Sequence, residues 1–236
     1  MDVLTTATSA DEAARKARVA VLPVGSFEQH GEHLPLTTDT VIACLIAQRI
    51  AEDYDLFLLP PITVSCSHEH DSFPGTVSVS ATTLVAMIED IRVSLRRSDI
   101  TKLVLVNGHG GNYVLSNITQ QANTDERCVV LFPGGGDMNR AREHAGAVTS
   151  SHEDMHAGEL ETSLLLHAHP HLVGESYYRA DHQADDRPHL LTLGVEHYSP
   201  SGVIGRPSEA TAAKGRAILD SLSTSFFEHL TLIDPR

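Results

Sequence analysis

Positive charge is scarce in this chain: 17 Lys and Arg stand against 31 Asp and Glu, a formal net charge of −14 over 236 residues. Such a balance cannot neutralise phosphates in bulk, which disfavours nucleic acid, and no nucleic-acid partner is expected. Long apolar runs are also missing. None reaches the ~20 residues that a membrane-spanning helix needs, and the opening MDVLTTATSADEAARKA lacks the apolar stretch of a signal peptide. No membrane partner is therefore expected. There are only three cysteines, Cys44, Cys66 and Cys128, far apart and in no C-x-x-C pair. That usage predicts reduced packing residues in a cytoplasmic protein. Tryptophan is absent altogether, so no pocket can be walled by indole rings. No internal repeat or low-complexity linker interrupts the chain, whose length suits one large domain or two small ones.

What is present alternates between strand-like and helix-like segments. Buried strands are predicted over Arg18 to Ser26, over LFLLPPITV (residues 56–64), over KLVLV (102–106) and over RCVVLF (127–132). Helices are predicted over Ala10 to Lys16, from Thr38 or Asp39 to Tyr54, over residues 80–98, 112–123 and 157–170, and over a long tail from Ser208 to Leu230. The alternation predicts an α/β fold: a three-layer sandwich with a mainly parallel sheet and helices on both faces. Gly134 to Asp137 (GGGD) lacks the lysine of a phosphate loop and is weak evidence for nucleotide binding. Gly174 to Arg206 is polar, irregular and rich in histidine, which suits either an insertion over a site or a contact between subunits.

The densest chemistry lies in GSFEQHGEHLPLTTDT, residues 25–40, which gathers Glu28, His30, Glu32, His33 and Asp39. Glu28 and His30 are two apart, so an extended backbone points them to the same side. Asp39 stands where a helix begins and reads either as its N-cap or as a carboxylate shared by two ions. Glu32 and His33 read as rim residues. His109 follows the KLVLV strand in NGHGGN. In open parallel sheets, sites form outside the carboxyl ends of the strands, so these distant segments are expected to converge. Imidazole with carboxylate suits a divalent transition ion such as zinc, manganese, iron or cobalt.

Four stretches in order, GSFEQHGEHLPLTTDT, NGHGGN, HAGELETS and GVIGRPSEATAAKG, resemble the creatininase (creatinine amidohydrolase) family over about Val19 to Leu219. The resemblance implies a single domain over residues 1–236 and a metal-dependent hydrolase of C–N bonds. Family members include creatininase, an archaeal formamide hydrolase and a peptidase of mycofactocin maturation. It implies two divalent ions per chain, zinc first, with manganese or iron as alternatives. Glu28, Asp39 and His109 would hold one ion; His30 and Asp39 would hold the other. Creatininase has a glutamate two residues after the position of His109, where this chain has Gly111. The resemblance therefore assigns the missing ligand to Glu161, near the start of a helix. His156 matches the catalytic histidine that protonates the leaving nitrogen. His68 and His70 correspond to a loop that either lines the pocket or is simply polar. Creatininase closes its pocket with tryptophans, so their absence here points away from creatinine. The expected reaction is attack by a metal-bridging hydroxide on a small amide, lactam or formamide. The alternatives are a peptidase acting on a modified precursor peptide and a non-catalytic binding protein. A homo-oligomer, up to a hexamer, is also implied. His144, His152, His167, His169, His171, His182, His189, His197 and His229 lack motif support and are expected mostly at the surface.

Overall fold

In the computed structural model, residues 5–235 are described. Four strands, β1 (Val19–Val24), β2 (Phe57–Leu58), β3 (Lys102–Asn107) and β4 (Val129–Phe132), pair in the order β2-β1-β3-β4, all parallel. Every residue of β1 is buried, as a strand covered on both faces requires. Side chains alternate between faces along each strand. Val19, Val21, Val104, Val106, Val130 and Phe132 face one core, shared with α2 (Thr38–Tyr54), α5 (Gly135–Ala145), α6 (Glu159–Ala168) and α8 (Ala212–Ile233). Ala20, Leu22, Val24, Leu103, Leu105 and Val129 face the other, against α3 (Ala81–Arg96) and α4 (Val114–Ala122). The expected three layers are therefore present. A short helix, α1 (Ser9–Arg15), precedes the sheet, and a single turn, α7 (Leu190–Leu193), lies late in the chain. No helix among the described residues is long and apolar enough to cross a membrane.

Two local expectations change. The strand expected over residues 56–64 shortens to Phe57–Leu58, after which only an isolated bridge joins Val24 to Ile62. Pro60 and Pro61 have no N–H to donate, so the ladder cannot run through them. GGGD, where no helix was predicted, is the start of α5: Gly134 caps the helix and donates its N–H to Asp137 Oδ2 at 2.8 Å.

Residues 174–206 fold onto their own chain. Gly174 N–H donates to His33 O at 2.8 Å, Val195 N–H donates to Glu69 O at 2.8 Å, and Ile204 pairs with His156 in an antiparallel bridge. The segment thus braces three stretches that carry candidate site residues.

Helices α6 and α8 pack closely because α8 carries Gly215. A Cβ there would lie 2.0 Å from Ser163 O and 2.9 Å from His167 Cβ. Gly215→Ala is expected to destabilise the fold by about 2 kcal/mol. Alanine gains about 1 kcal/mol of helix propensity, but overpacking against a backbone carbonyl costs about 3 kcal/mol. Urea denaturation would show a lower midpoint at unchanged slope.

Candidate metal centre

The chain leaves β1 and reaches β2 on one side, then crosses back so that β3 lies on the other side of β1. The crevice at the carboxyl ends of β1 and β3 is the switch point where open parallel sheets form sites. Glu28 and His30 lie in the loop after β1, Asp39 in the first turn of α2, and His109 in the turn after β3. His156 lies in the stretch that leads into α6, and Glu161 in the first turn of that helix. Gly108 permits the close approach, since a Cβ there would sit 2.2 Å from Asp39 O.

These six residues meet in one buried cluster. His30 Nε2 lies 3.1 Å from Asp39 Oδ1 and 3.9 Å from Glu161 Oε2. His109 Nδ1 lies 3.1 Å from Glu28 Oε1 and 3.2 Å from Asp39 Oδ2. His156 Nδ1 lies 3.7 Å from Glu28 Oε1. Three groups have donor atoms all within 4.8 Å of one another: Glu28–Asp39–His109, His30–Asp39–Glu161 and Glu28–His30–His156. Asp39 belongs to the first two and turns a different oxygen to each.

Asp39 is not the N-cap. Thr37 holds that position, and the carboxylate points into the cluster instead. Asp39 Oδ2 and Glu28 Oε1 are buried and accept no hydrogen bond among the described residues, although His109 Nδ1 is near both. Buried carboxylate oxygens without a donor are costly unless a cation meets them. The residues present therefore fit a divalent ion.

The imidazoles are prepared in the same sense. His30 donates Nδ1–H to Glu28 O at 3.1 Å, His109 donates Nε2–H to Cys66 O at 2.9 Å, and His156 donates Nε2–H to Gln29 O at 2.7 Å. Each ring has one nitrogen tied to a backbone carbonyl, and the other faces the cluster. That is the arrangement metal-binding histidines adopt.

The electrostatics agree. Burial, and then the nearby Asp39, push Glu28 up to about 7. Burial likewise pushes Glu161 up to about 7 against the pull of His30. Asp39 is held well below the usual carboxylate range: burial opposes this, but His30 and His109 outweigh it. Burial also opposes charge on His30 and His109, yet the carboxylates win and raise both, His30 to about 9. His156 moves the other way, kept neutral by burial and by His30 and His70. Protons on His30 and His109 thus balance the carboxylates of the cluster, and a divalent ion would take the place of that positive charge.

The other loop residues divide. Glu32 is exposed, as expected of the rim. His33 is not on the rim: it is 2% exposed and donates Nε2–H to Ala157 O at 3.0 Å. It ties the first loop to the entry of α6, and nothing in its spacing distinguished it from Glu32. His68 is exposed, whereas His70 is buried with Nε2 3.3 Å from Glu28 Oε1. Gln29 Nε2–H donates to His70 Nδ1 at 2.8 Å and so orients it. Most of the nine histidines without motif support are exposed or half-exposed; His229 is half-buried against Asp137 at 2.9 Å. A cavity of about 330 Å³ reaches His109, His156 and Glu161 and is walled by Ile42, Met138 and Leu164 among others.

Comparison with known proteins follows the same lines. The family model described as creatinine amidohydrolase matches residues 4–230. A mycofactocin precursor peptide peptidase of Mycobacterium ulcerans is 38% identical over 212 residues, covering 84% of this chain and 78% of its own length. A creatinine amidohydrolase of Pseudomonas putida is 28% identical over 222 residues, covering 86% of this chain and 84% of its own. A solved structure of a glutamate-to-glutamine mutant creatininase of Zn-Zn type matches with a TM-score of 0.79 at 25% identity, over 96% of this chain and 95% of that one.

Proposed function

The chain belongs to the creatininase family of hydrolases, and from that premise we propose that it breaks an amide C–N bond in a short peptide using two divalent ions held in the buried centre. One observation carries the two-ion reading: the two oxygens of Asp39 are divided between the Glu28–Asp39–His109 and His30–Asp39–Glu161 groups. Zinc suits the donor set, with manganese or iron as alternatives. Bound there, the ions would polarise the amide carbonyl and acidify the attacking water.

The remaining steps fall to this chain's own residues. His156 is neutral, its Nε2–H is held by Gln29 O, and its Nδ1 faces the cluster. It therefore has a lone pair to take the proton released by the attacking water, and the same nitrogen then delivers it to the departing amine. Ser26 steadies the Glu28 carboxylate by donating Oγ–H to Oε2 at 2.9 Å. His156→Gln is expected to lower turnover about 10²- to 10⁴-fold while leaving the metal content unchanged, as read by steady-state kinetics and elemental analysis on the same sample.

The substrate reading rests on relatives. The protein 38% identical to this chain is named for a precursor peptide, and the one named for creatinine is 28% identical. A peptide amide, held as the alternative in the sequence analysis, is thus favoured over a small non-peptide amide. The cavity of about 330 Å³ supports a compact group beside the scissile bond, since it lies at the small end of ligand sites. The test is purified protein, loaded with zinc or manganese, offered precursor-type peptides, formamides and creatinine, with products read by mass spectrometry. Cleavage of the peptides with about two ions per chain is expected. Cleavage of the formamides or creatinine alone would overturn the substrate; no bound metal and no cleavage would overturn the reading entirely. A homo-oligomer, also proposed, would show as a mass above 25.5 kDa in light scattering.

A further inference from the structure

We propose that Glu69 is a positioning residue for His109, holding the imidazole so that Nδ1 is presented to the metal, and that Gly111 is glycine because Glu69 needs its space. The inference rests on the reading of His109 as a ligand.

Glu69 lies on the one-turn 3-10 helix His68–His70, outside the three donor groups. Its Oε1 is 3.4 Å from His109 Nε2, on the side of the ring away from Glu28 and Asp39. The ring thus sits between two carboxylates facing Nδ1 and one carboxylate with the Cys66 carbonyl facing Nε2. Nε2–H donates to Cys66 O, and the Glu69 charge beside it favours keeping the proton on that nitrogen. Nδ1 is left unprotonated and more basic toward a cation. A carbonyl alone would fix the tautomer, but it has no net charge to strengthen the donor.

Gly111 makes this possible. A Cβ at residue 111 would fall 1.8 Å from Glu69 Oε1 and 2.4 Å from His109 Nε2, so no side chain there can coexist with the carboxylate in this place. The resemblance described above puts a glutamate at this position in creatininase. The space it would need is here filled by Glu69, so the loss of one carboxylate and the seating of another are a linked change. The peptide of Glu69 is held from outside as well: its carbonyl accepts the N–H of Val195 at 2.8 Å, and Gly194 lies against the same oxygen. The residues just after α7 thus fix the backbone of Glu69 beside His109.

A structural role would be simpler: Glu69 would merely fasten its loop. The two roles differ in what they move. Glu69→Gln, Gly111→Ala and the double variant would be prepared as full-length protein. Zinc affinity would be measured by competition with a chelating dye, and the melting temperature would be measured after metal removal. Glu69→Gln is expected to weaken one of two zinc equivalents about 10- to 100-fold, with the metal-free melting temperature unchanged. Gly111→Ala is expected to weaken the same equivalent by displacing Glu69, and the double variant to be no weaker than the worse single one. Unchanged zinc affinity in Glu69→Gln, or a loss that appears only together with a lower metal-free melting temperature, would overturn the proposal. If the parent protein took up no zinc, the metal reading itself would fall and this inference with it; an unchanged Glu69→Gln beside a zinc-binding parent would sink the inference alone.

Discussion

Asp39→Ala is expected to leave the protein without either metal ion and without measurable hydrolysis. The carboxylate is the only member common to the Glu28–Asp39–His109 and His30–Asp39–Glu161 groups, with Oδ1 3.1 Å from His30 Nε2 and Oδ2 3.2 Å from His109 Nδ1. Its loss leaves each group two protein donors, too few to hold a transition ion against solvent at ordinary concentrations. Asp39→Asn refines the test, because the amide keeps the shape but has only one oxygen to offer; at most about one ion should remain. Elemental analysis of both variants, purified from metal-supplemented medium, gives the answer directly. Glu32→Ala is the matched control: Glu32 sits in the same loop but is exposed, and its loss should change neither metal content nor turnover. Full metal occupancy in Asp39→Ala would show that Asp39 is not the shared ligand and that other groups hold the ions.

Glu161→Gln is expected to lower occupancy of one ion and reduce turnover by orders of magnitude, with the metal-free protein melting as before. Glu161 Oε2 accepts the N–H of Ala157 at 2.6 Å, so part of its role is to cap the entry to α6. Ala157 sits at φ 55, a conformation that costs energy in a residue with a Cβ, and the carboxylate helps to hold it there. Glutamine retains an oxygen that can accept this bond, which is why the fold should survive the change. It cannot supply a charged donor to the His30–Asp39–Glu161 group, and the proposed second site has no carboxylate at residue 111 to replace it. The carboxylate is 17% exposed and 3.9 Å from His30 Nε2. Tight binding of two ions and normal turnover in Glu161→Gln would make it a helix residue alone, worth about 0.3–1 kcal/mol through the helix dipole.

Much of the candidate donor cluster was legible before any geometry. Glu28, His30 and Asp39 stand out because carboxylates and histidines rarely crowd one loop, and His109 because it follows a strand in a glycine-rich turn. The supporting contacts were not legible. His30, His109 and His156 are oriented by the carbonyls of Glu28, Cys66 and Gln29, and a backbone carbonyl carries no mark in the residue type. His33 resembled Glu32 in spacing but turned inward, because the chain passes Gly31 at φ 64 and sends consecutive residues in different directions. The helix opened by GGGD was missed because three glycines have low helix propensity; Asp137, accepting the Gly134 N–H, offsets part of that cost.

The sequence by itself determined the alternation of strands and helices, the presence of two apolar faces on each strand, and the inventory of donors at the strand ends. Those are local properties: periodicity, breakers and residue chemistry act over a few positions. Only the tertiary structure decided the order β2-β1-β3-β4, the crevice that this order opens between β1 and β3, and the division of five donors into two groups that share Asp39. The reason is physical. Residues 28, 39, 109, 156 and 161 are brought within a few ångströms by packing helices on opposite faces of a parallel sheet. Separation along a chain places no limit on how close such crossovers can bring its parts, so which oxygen faces which nitrogen is settled by packing and not by spacing.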